Sequence, residues 1–387
     1  MKIVYYLPSL YAPGGLERII TFKANYLAEH FNEYEVYIVT SEQVGKQPFF
    51  PLSPKVKHID LDVPFDWPFD QSRVKKLLKY PFRYLRFKRR FTHLLMELRP
   101  DITLSTLRRE LNFINEMKDG SAKVGEFHVT RHSYGIGSTT DRSPVKRFLQ
   151  RRWEKSFVGN LSKLTRLVIL THEEAGNWPE LSNKCVIPNP IITPVHQVSN
   201  CTSHKVIAAG RYAPQKGFDL LIESWSLVVK KHPEWMLRIY GDGSLRAKLQ
   251  KQIEYLGITN SCLLEHTVTD IVDKYSESSI FVLSSRFEGF GMVITEAMAC
   301  GVPPVSFTCP CGPRDIITNG KDGLLAENGN SKELAEKICF LIENEEIRKC
   351  MGKQALESSE RYQMENIVKE WIQLFEEVVP NNQKQTI

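Results

Sequence analysis

The sequence predicts an α/β protein built from two Rossmann-like, doubly wound domains, and three observations predict it. The chain has 387 residues, too many for one ordinary core. Short apolar strands, glycine turns and helices with apolar stripes alternate along it. The pattern of strand, turn, helix and strand at the amino terminus starts again after residue 204.

The first unit opens on an apolar strand at residues 2–7 and a turn at Gly14-Gly15. A helix with the apolar stripe Leu16, Ile20, Ala24 and Leu27 follows, then a strand at 36–39. A unit of this order is parallel and presents its ligand edge at the carboxyl ends of the strands. The second opens on a strand at 206–209, a helix from 218 to about 231, and a strand at 236–240 closed by Gly241-Asp242-Gly243. A strand at 280–283, a helix from about 291 to 300 stopped by Gly301, and a strand at 304–307 extend it. Pro194 and the polar run Ser199-Asn200-Cys201-Thr202-Ser203 mark a linker at 191–204, which sets the domains at 1–190 and 205–361. A helix at 362–379, with Ile367, Trp371, Leu374 and Phe375 at helical spacing, and a loose tail at 380–387 complete the chain.

Composition narrows the class. With 42% hydrophobic and 25% charged residues the chain reads as soluble and globular, not disordered. The apolar run at residues 1–7 is too short for a secretory signal and Pro8 interrupts it, and no stretch has the length of a membrane span, so a cytoplasmic protein is expected. Eight cysteines without a Cys-x-x-Cys pair read as reduced thiols. Cys309-Pro310-Cys311 has no second pair of ligands at zinc spacing, and Asp60-Leu61-Asp62 ends an alternating strand, so no metal is expected at either. The net charge is +6, and much of the positive charge gathers at 73–90, where basic residues alternate with Leu77, Leu78, Phe82, Leu85 and Phe87. That stretch reads either as a solvated helix pair broken at Pro81 or as a surface that docks on the anionic inner face of the cytoplasmic membrane. No recognisable nucleic-acid module accompanies it, and no nucleic-acid partner is expected.

The motifs carry the chemistry. Pro13-Gly14-Gly15-Leu16 lacks the Gly-x-Gly-x-x-Gly spacing and no acidic residue closes the second strand, which argues against a dinucleotide enzyme. The turn still offers backbone N–H groups at a helix start, where a phosphate or a sugar can approach Gly15. In the second domain Gly210-Arg211 and Lys216-Gly217 sit between a strand and a helix, placing two cations at the carboxyl edge of the sheet, an arrangement suited to a diphosphate. Glu288 lies in a loop after a strand and Glu296 inside the following helix, with Phe287, Gly289, Phe290 and Gly291 between them. One carboxylate can hold sugar hydroxyls and the other a ribose, while N–H groups at the helix start face phosphates.

These motifs, with Gly14-Gly15-Leu16-Glu17-Arg18, Val186-Ile187-Pro188-Asn189-Pro190 and Gly301-Val302-Pro303, resemble glycosyltransferase family 4 over nearly the whole chain. The resemblance implies a GT-B fold, with the two domains facing a central cleft and a terminal helix that crosses back to the first. It implies a retaining enzyme without a cofactor or metal, which takes a nucleotide sugar, UDP-linked by preference. Arg211 and Lys216 would then meet the diphosphate, Glu296 the ribose and Glu288 the donor sugar. Gly15, Gly210, Gly241, Gly289, Phe290, Gly291 and Met292 would also lie against the donor, and His128 of Glu126-Phe127-His128 would sit near the sugar. Thr267-Val268-Thr269-Asp270 and Cys309-Pro310-Cys311-Gly312-Pro313 resemble the branch that builds bacterial surface polysaccharides and lipid-linked glycans. Transfer of a hexose or N-acetylhexosamine, of galactose, GalNAc or GlcNAc type, to a glycan or lipid-linked acceptor is the expected reaction, with a nucleotide-sugar epimerase as the alternative. His266, where many relatives have glycine, departs from the pattern at the nucleobase.

Overall fold

The computed structural model of the protein describes residues 1–65, 73–134 and 144–379, and it divides into two compact units. One holds 1–170, 177–187 and the chain from Val368 on; the other holds 171–176 and 188–367. Thr171–Gly176 and the stretch at 191–204 both fall in the second unit. The tail at 380–387 lies outside the described residues.

In the first unit seven strands lie parallel: β1 (Lys2–Tyr6), β2 (Glu35–Thr40), β3 (Lys57–Asp60), β4 (Ile102–Ser105), β5 (Ala122–Phe127), β6 (Arg166–Ile169) and β7 (Lys184–Val186). Their order is β3-β2-β1-β4-β5-β6-β7, with Tyr6 opposite Val39 on one side and Ser105 on the other. The chain reverses direction across the sheet between β1 and β4, so the loops after these two strands diverge at the carboxyl edge. The central strands are buried on both faces, which is why they read as continuous apolar runs.

Three helices, α1 (Gly15–His30), α2 (Arg73–Leu98) and α3 (Pro144–Leu161), cover this sheet. Alternate residues of one strand point to opposite faces, and the contacts show which helix lies where. Tyr5 and Glu126 face α1, where Lys23 Nζ stands 5.9 Å from the Tyr5 ring and donates to Glu126 Oε1. Their neighbours Tyr6 and Phe127 face the other way. The Tyr6 ring lies 5.5 and 4.9 Å from Phe87 and Phe91 of α2, and Phe127 lies 5.3 Å from Trp178, which also meets Phe157 of α3. Helix α1 therefore covers one face, and α2 and α3 share the other.

Helix α2 corrects the expectation of a helix pair broken at Pro81, because it runs through that residue. Proline removes one helical hydrogen bond and crowds the preceding turn, but here it sits on the exposed side, where water can satisfy the freed carbonyl.

The second unit holds the short helix α4 (His172–Gly176) and six parallel strands, β8 (Lys205–Ala209), β9 (Met236–Tyr240), β10 (Cys262–Glu265), β11 (Ile280–Leu283), β12 (Pro304–Phe307) and β13 (Leu324–Ala326). The order β10-β9-β8-β11-β12-β13 reverses between β8 and β11. Its helices are α5 (Phe218–Val228), α6 (Arg246–Tyr255), α7 (Ile271–Ser276), α8 (Met292–Ala299), α9 (Pro313–Ile316), α10 (Ser331–Glu343) and α11 (Glu345–Ser359). Helix α5 stops three residues short of the expected end, and the chain turns at 229–231 before Pro233.

The last helix, α12 (Met364–Val378), belongs to the first unit from Val368 on. Its Trp371 ring lies 4.0 Å from Lys23 Nζ, and Phe375 meets Tyr34 edge-on at 6.4 Å. Trp371 is only 2% exposed, so its truncation empties a large volume of core. Trp371→Ala is expected to lower the unfolding free energy by about 3–5 kcal/mol, measured by urea denaturation.

Candidate active site

The switch point of the second sheet brings together two loops far apart in sequence. Residues 210–217 follow β8 and residues 284–291 follow β11, and these strands are neighbours. Gly217 makes the approach possible: its φ is +60°, and a Cβ there would stand 2.1 Å from the Ser284 carbonyl oxygen. Hydrogen bonds then stitch the loops. Ser284 Oγ donates to Lys216 O at 2.9 Å, Arg286 N to Gln215 O at 2.8 Å, and Gln215 Nε2 to Phe287 O at 3.0 Å. The Arg286 guanidinium grips Asp219 of α5 with two bonds, at 2.9 and 2.7 Å, and holds that carboxyl below its ordinary value.

Within this frame Lys216 Nζ donates to Glu288 Oε1 at 2.7 Å, and Ser285 Oγ donates to the same oxygen at 2.6 Å. Glu288 is buried and its backbone N–H donates to Pro310 O at 3.0 Å, so both ends of the residue are fixed. Arg211, four residues before Gln215, is exposed and its side chain has no ion pair or hydrogen bond among the described residues. The loop after β8 thus carries one cation paired with a buried carboxylate and one exposed cation without a partner among the described residues.

Gly291 caps α8 with φ +99°, Met292 is the first helical residue, and Glu296 lies one turn on, buried. Phe290 is buried too, its ring edge-on to Tyr362 at 5.7 Å, so a ligand can meet this residue through its backbone but not its ring. Gly289 is partly accessible beside it. Gly210 and Gly241 end the neighbouring strands β8 and β9, where a Cβ on Gly241 would collide with the Gly210 carbonyl oxygen at 2.0 Å. Next to them, Asp242 accepts from Thr267 N at 2.9 Å and from His266 Nδ1 at 2.8 Å, and these contacts pull its carboxyl down to about 2. His266 therefore has an assigned partner, the exposed aspartate of Gly241-Asp242-Gly243.

Two of the expected residues lie in the first unit. Gly15 is exposed at the first position of α1, after β1. His128 follows β5, with Nε2 3.1 Å from Glu126 Oε1. Glu126 is wholly buried. Burial alone would raise its carboxyl, but the Lys23 ammonium and His128 outweigh that and hold it down to about 2. Burial in turn pulls Lys23 below its ordinary value while Glu126 opposes the shift.

Asp60 Oδ1 accepts from Thr40 Oγ1 at 2.9 Å, so its carboxylate closes the end of β3. Cys311 is buried and donates to Glu174 Oε2 at 3.0 Å, while burial pushes both the Cys309 and Cys311 thiols well up. Sequence reasoning missed Asp219 and Lys23, and it placed Gln215, Ser285 and Arg286 within the motifs without giving them their supporting roles. The position of Asp219 in the first turn of α5 was a readable signal for a cationic partner; its pairing with a residue 67 positions away was not.

The architecture is that of two-domain, Rossmann-like proteins with the GT-B fold. Residues 195–358 match the family described as glycosyl transferases group 1. Over 375 residues the chain is 27% identical to an uncharacterized glycosyltransferase of Haemophilus influenzae, covering 96% of this chain and 98% of that one. It is 31% identical over 263 residues to the poly(ribitol-phosphate) alpha-N-acetylglucosaminyltransferase of Staphylococcus aureus, covering 67% of this chain and 52% of the relative. A crystal structure of an S. aureus TarM mutant in complex with Fondaparinux, alpha-GlcNAc-glycerol and UDP superposes with a TM-score of 0.73 at 19% identity, over 97% of this chain and 99% of the other. The fold, the domain match and the names of the relatives support a place in the GT-B glycosyltransferase superfamily, and they give no support to an epimerase.

The Glu126 geometry carries a pH consequence. Its folded-state value lies below the ordinary 4.5, so its stabilisation is fully present above pH 4.5 and drains as pH falls through about 2. In Glu126→Gln, Lys23 is left buried without its counter-charge. That variant is expected to be about 3 kcal/mol less stable at pH 7 and to lose less stability than the wild type between pH 4.5 and 2, read from denaturation curves across that range.

Proposed function

We propose that the protein is a retaining, metal-independent glycosyltransferase. In this reading it moves a hexose or N-acetylhexosamine from a UDP-sugar to a hydroxyl of a glycan or lipid-linked acceptor in bacterial surface polysaccharide synthesis. The observation that carries the reading is the Lys216–Glu288 pair at the switch point, with Arg211 exposed in the same loop five residues before Lys216. A lysine ammonium has three donors, so Lys216 can keep its bond to Glu288 while turning another N–H to a phosphate oxygen. Arg211 supplies the unshared charge, with two parallel N–H groups for the same diphosphate. Glu288, held by Ser285 and Lys216 through one oxygen, keeps the other for sugar hydroxyls. The α8 amino terminus at Gly291 and Met292 adds N–H groups and a positive dipole end, and Glu296 one turn later is assigned to the ribose.

The bond that breaks joins the anomeric carbon to the diphosphate, and the electron pair leaves on the phosphate oxygen. Arg211 and Lys216 stabilise that charge, the departing phosphate accepts the proton of the acceptor hydroxyl, and attack on the same face retains configuration. His128, beside Glu126 in the first unit, is assigned to transfer and not to nucleotide binding. Similarity to a poly(ribitol-phosphate) alpha-N-acetylglucosaminyltransferase and to a structure in complex with UDP supports the donor and acceptor classes.

The reading is tested by thermal shift and turnover together. UDP should raise the melting temperature of the wild type, and Lys216→Ala and Arg211→Ala should each lose most of that rise. Glu288→Ala and His128→Ala should keep UDP stabilisation while turnover of a UDP-sugar falls about 10²–10³-fold. Turnover should be unchanged by a metal chelator, and NMR of the product should show the donor's anomeric configuration. Equal UDP stabilisation of wild type and Lys216→Ala would overturn the phosphate assignment.

A further inference from the structure

Away from the loops at the switch point, the second unit brings three different metal-ligating side chains to one place. His232 lies in the turn between α5 and β9, and Cys339 and Glu343 belong to α10. An imidazole nitrogen, the thiol sulfur and a carboxylate oxygen all lie within 4.8 Å of one another. Among the described residues, no other three histidine, cysteine or acidic side chains converge so closely.

The fold sets this convergence. Cys339 and Glu343 are four residues apart, so they stand one above the other on a single face of α10. That helix packs on α5, and at its start Ser331 Oγ donates to Glu223 Oε2 of α5 at 3.1 Å. At the other end of the pair the His232 backbone is held on both sides. Its N–H donates to Val228 O at 3.0 Å, and its carbonyl accepts from Trp235 N at 3.1 Å. His232 Nε2 then meets Glu343 Oε1 at 3.0 Å. Cys339 is buried, whereas the side chains of His232 and Glu343 are 15% and 51% exposed, so the trio is closed on the protein side and open to solvent on the other. A histidine beside a glutamate is an ordinary surface pair. A buried thiol beneath that pair is a third donor of a different kind.

We infer that His232, Cys339 and Glu343 form a binding site for a zinc ion, with water as the fourth ligand. Imidazole nitrogen, thiolate sulfur and carboxylate oxygen are the donor types zinc takes, whereas magnesium and calcium take oxygen alone. Zinc–ligand bonds of about 2.0–2.3 Å in a tetrahedral array put the ligand atoms roughly 3.3–3.8 Å apart. The spread of the trio, within 4.8 Å, closes to that spacing by small side-chain rotations. On binding, the thiol proton leaves to solvent, and the thiolate and carboxylate balance the two charges of the ion. The other charges that act on Cys339 are Glu336 and Lys231, of opposite sign, so they leave that balance in place. Bound there, zinc ties the turn after α5 to the end of α10. The site lies past the far end of the eleven-residue helix α5 from Gly217, roughly 16 Å along the helix. It therefore has no part in the transfer step, and the inference stands whether or not the donor assignment above holds.

Equilibrium dialysis of the full chain against zinc chloride tests it, after stripping with a chelator and with thiols kept reduced by a phosphine. The wild type should retain one zinc per chain, and zinc but not magnesium should raise its melting temperature. Cys339→Ser and His232→Gln should each weaken zinc binding at least about 100-fold, more than the loss of a residue that only orients a ligand. Glu343→Gln should weaken it about tenfold or more, and because that side chain is half exposed the metal-free variant should melt with the wild type. Cobalt bound in place of zinc should show the intense thiolate-to-metal absorption of a cysteine ligand in the wild type and in Glu343→Gln, and none in Cys339→Ser. The inference fails if the wild type retains no zinc, if any of the three variants binds zinc as tightly as the wild type, or if cobalt binds without that absorption.

Discussion

The contact between the Gly217 backbone and the Ser284 carbonyl is the constraint on which the candidate site depends. A side chain at 217 would force β8's loop away from β11's loop, and every hydrogen bond that stitches them would lengthen. With glycine there, Lys216 is carried to Glu288, and Arg286 reaches back to Asp219 in the first turn of α5. The pairing of Lys216 with Glu288 is thus a consequence of backbone packing at a switch point and not of two long side chains finding each other on a surface. That distinction matters energetically. Exposed ion pairs contribute little, but this one is largely shielded and shares an oxygen with Ser285, so its geometry is held before any ligand arrives.

The first unit solves a similar problem differently. A carboxylate at the carboxyl end of β5 is buried beneath α1, and the only way to keep it ionised there is to bury a cation with it. Lys23 is that cation, and the Trp371 ring from α12 closes over it. The last helix of the chain is therefore tied into the electrostatics of the first unit as well as its packing. His128 gains a fixed anionic neighbour from the same arrangement, which constrains its ring far more than a solvent-facing loop would.

Much of this was legible from the sequence, for identifiable reasons. The strands at 236–240, 280–283 and 304–307 were bounded correctly because each is a short, largely apolar run marked off by turn-forming residues: Gly241 after the first, serine pairs on both sides of the second, and Pro303 before the third. The places of Lys216 and Glu288, in the loops after β8 and β11, were legible because each follows a short apolar strand. Helix α2 was misread at Pro81 since the cost of proline depends on which side of the helix it occupies, and that side is set by packing on Tyr6. Lys23 was invisible for the opposite reason. It sits in an apolar stripe where a lysine reads as an interruption, and only the fold brings Glu126, 103 positions away, to its ammonium.

The same logic explains why α3 could not be read from its own sequence. Its apolar residues recur at helical spacing from Val145 to Leu161, the pattern of an ordinary core helix. Only the structure separates the stripe into a buried half, from Phe157 on, and a more exposed half before it. An amphipathic pattern reports that a helix has an apolar face, not what that face meets. On α2 the pattern is doubled, with one apolar side on the sheet and another outward, and no single stripe analysis would have split them.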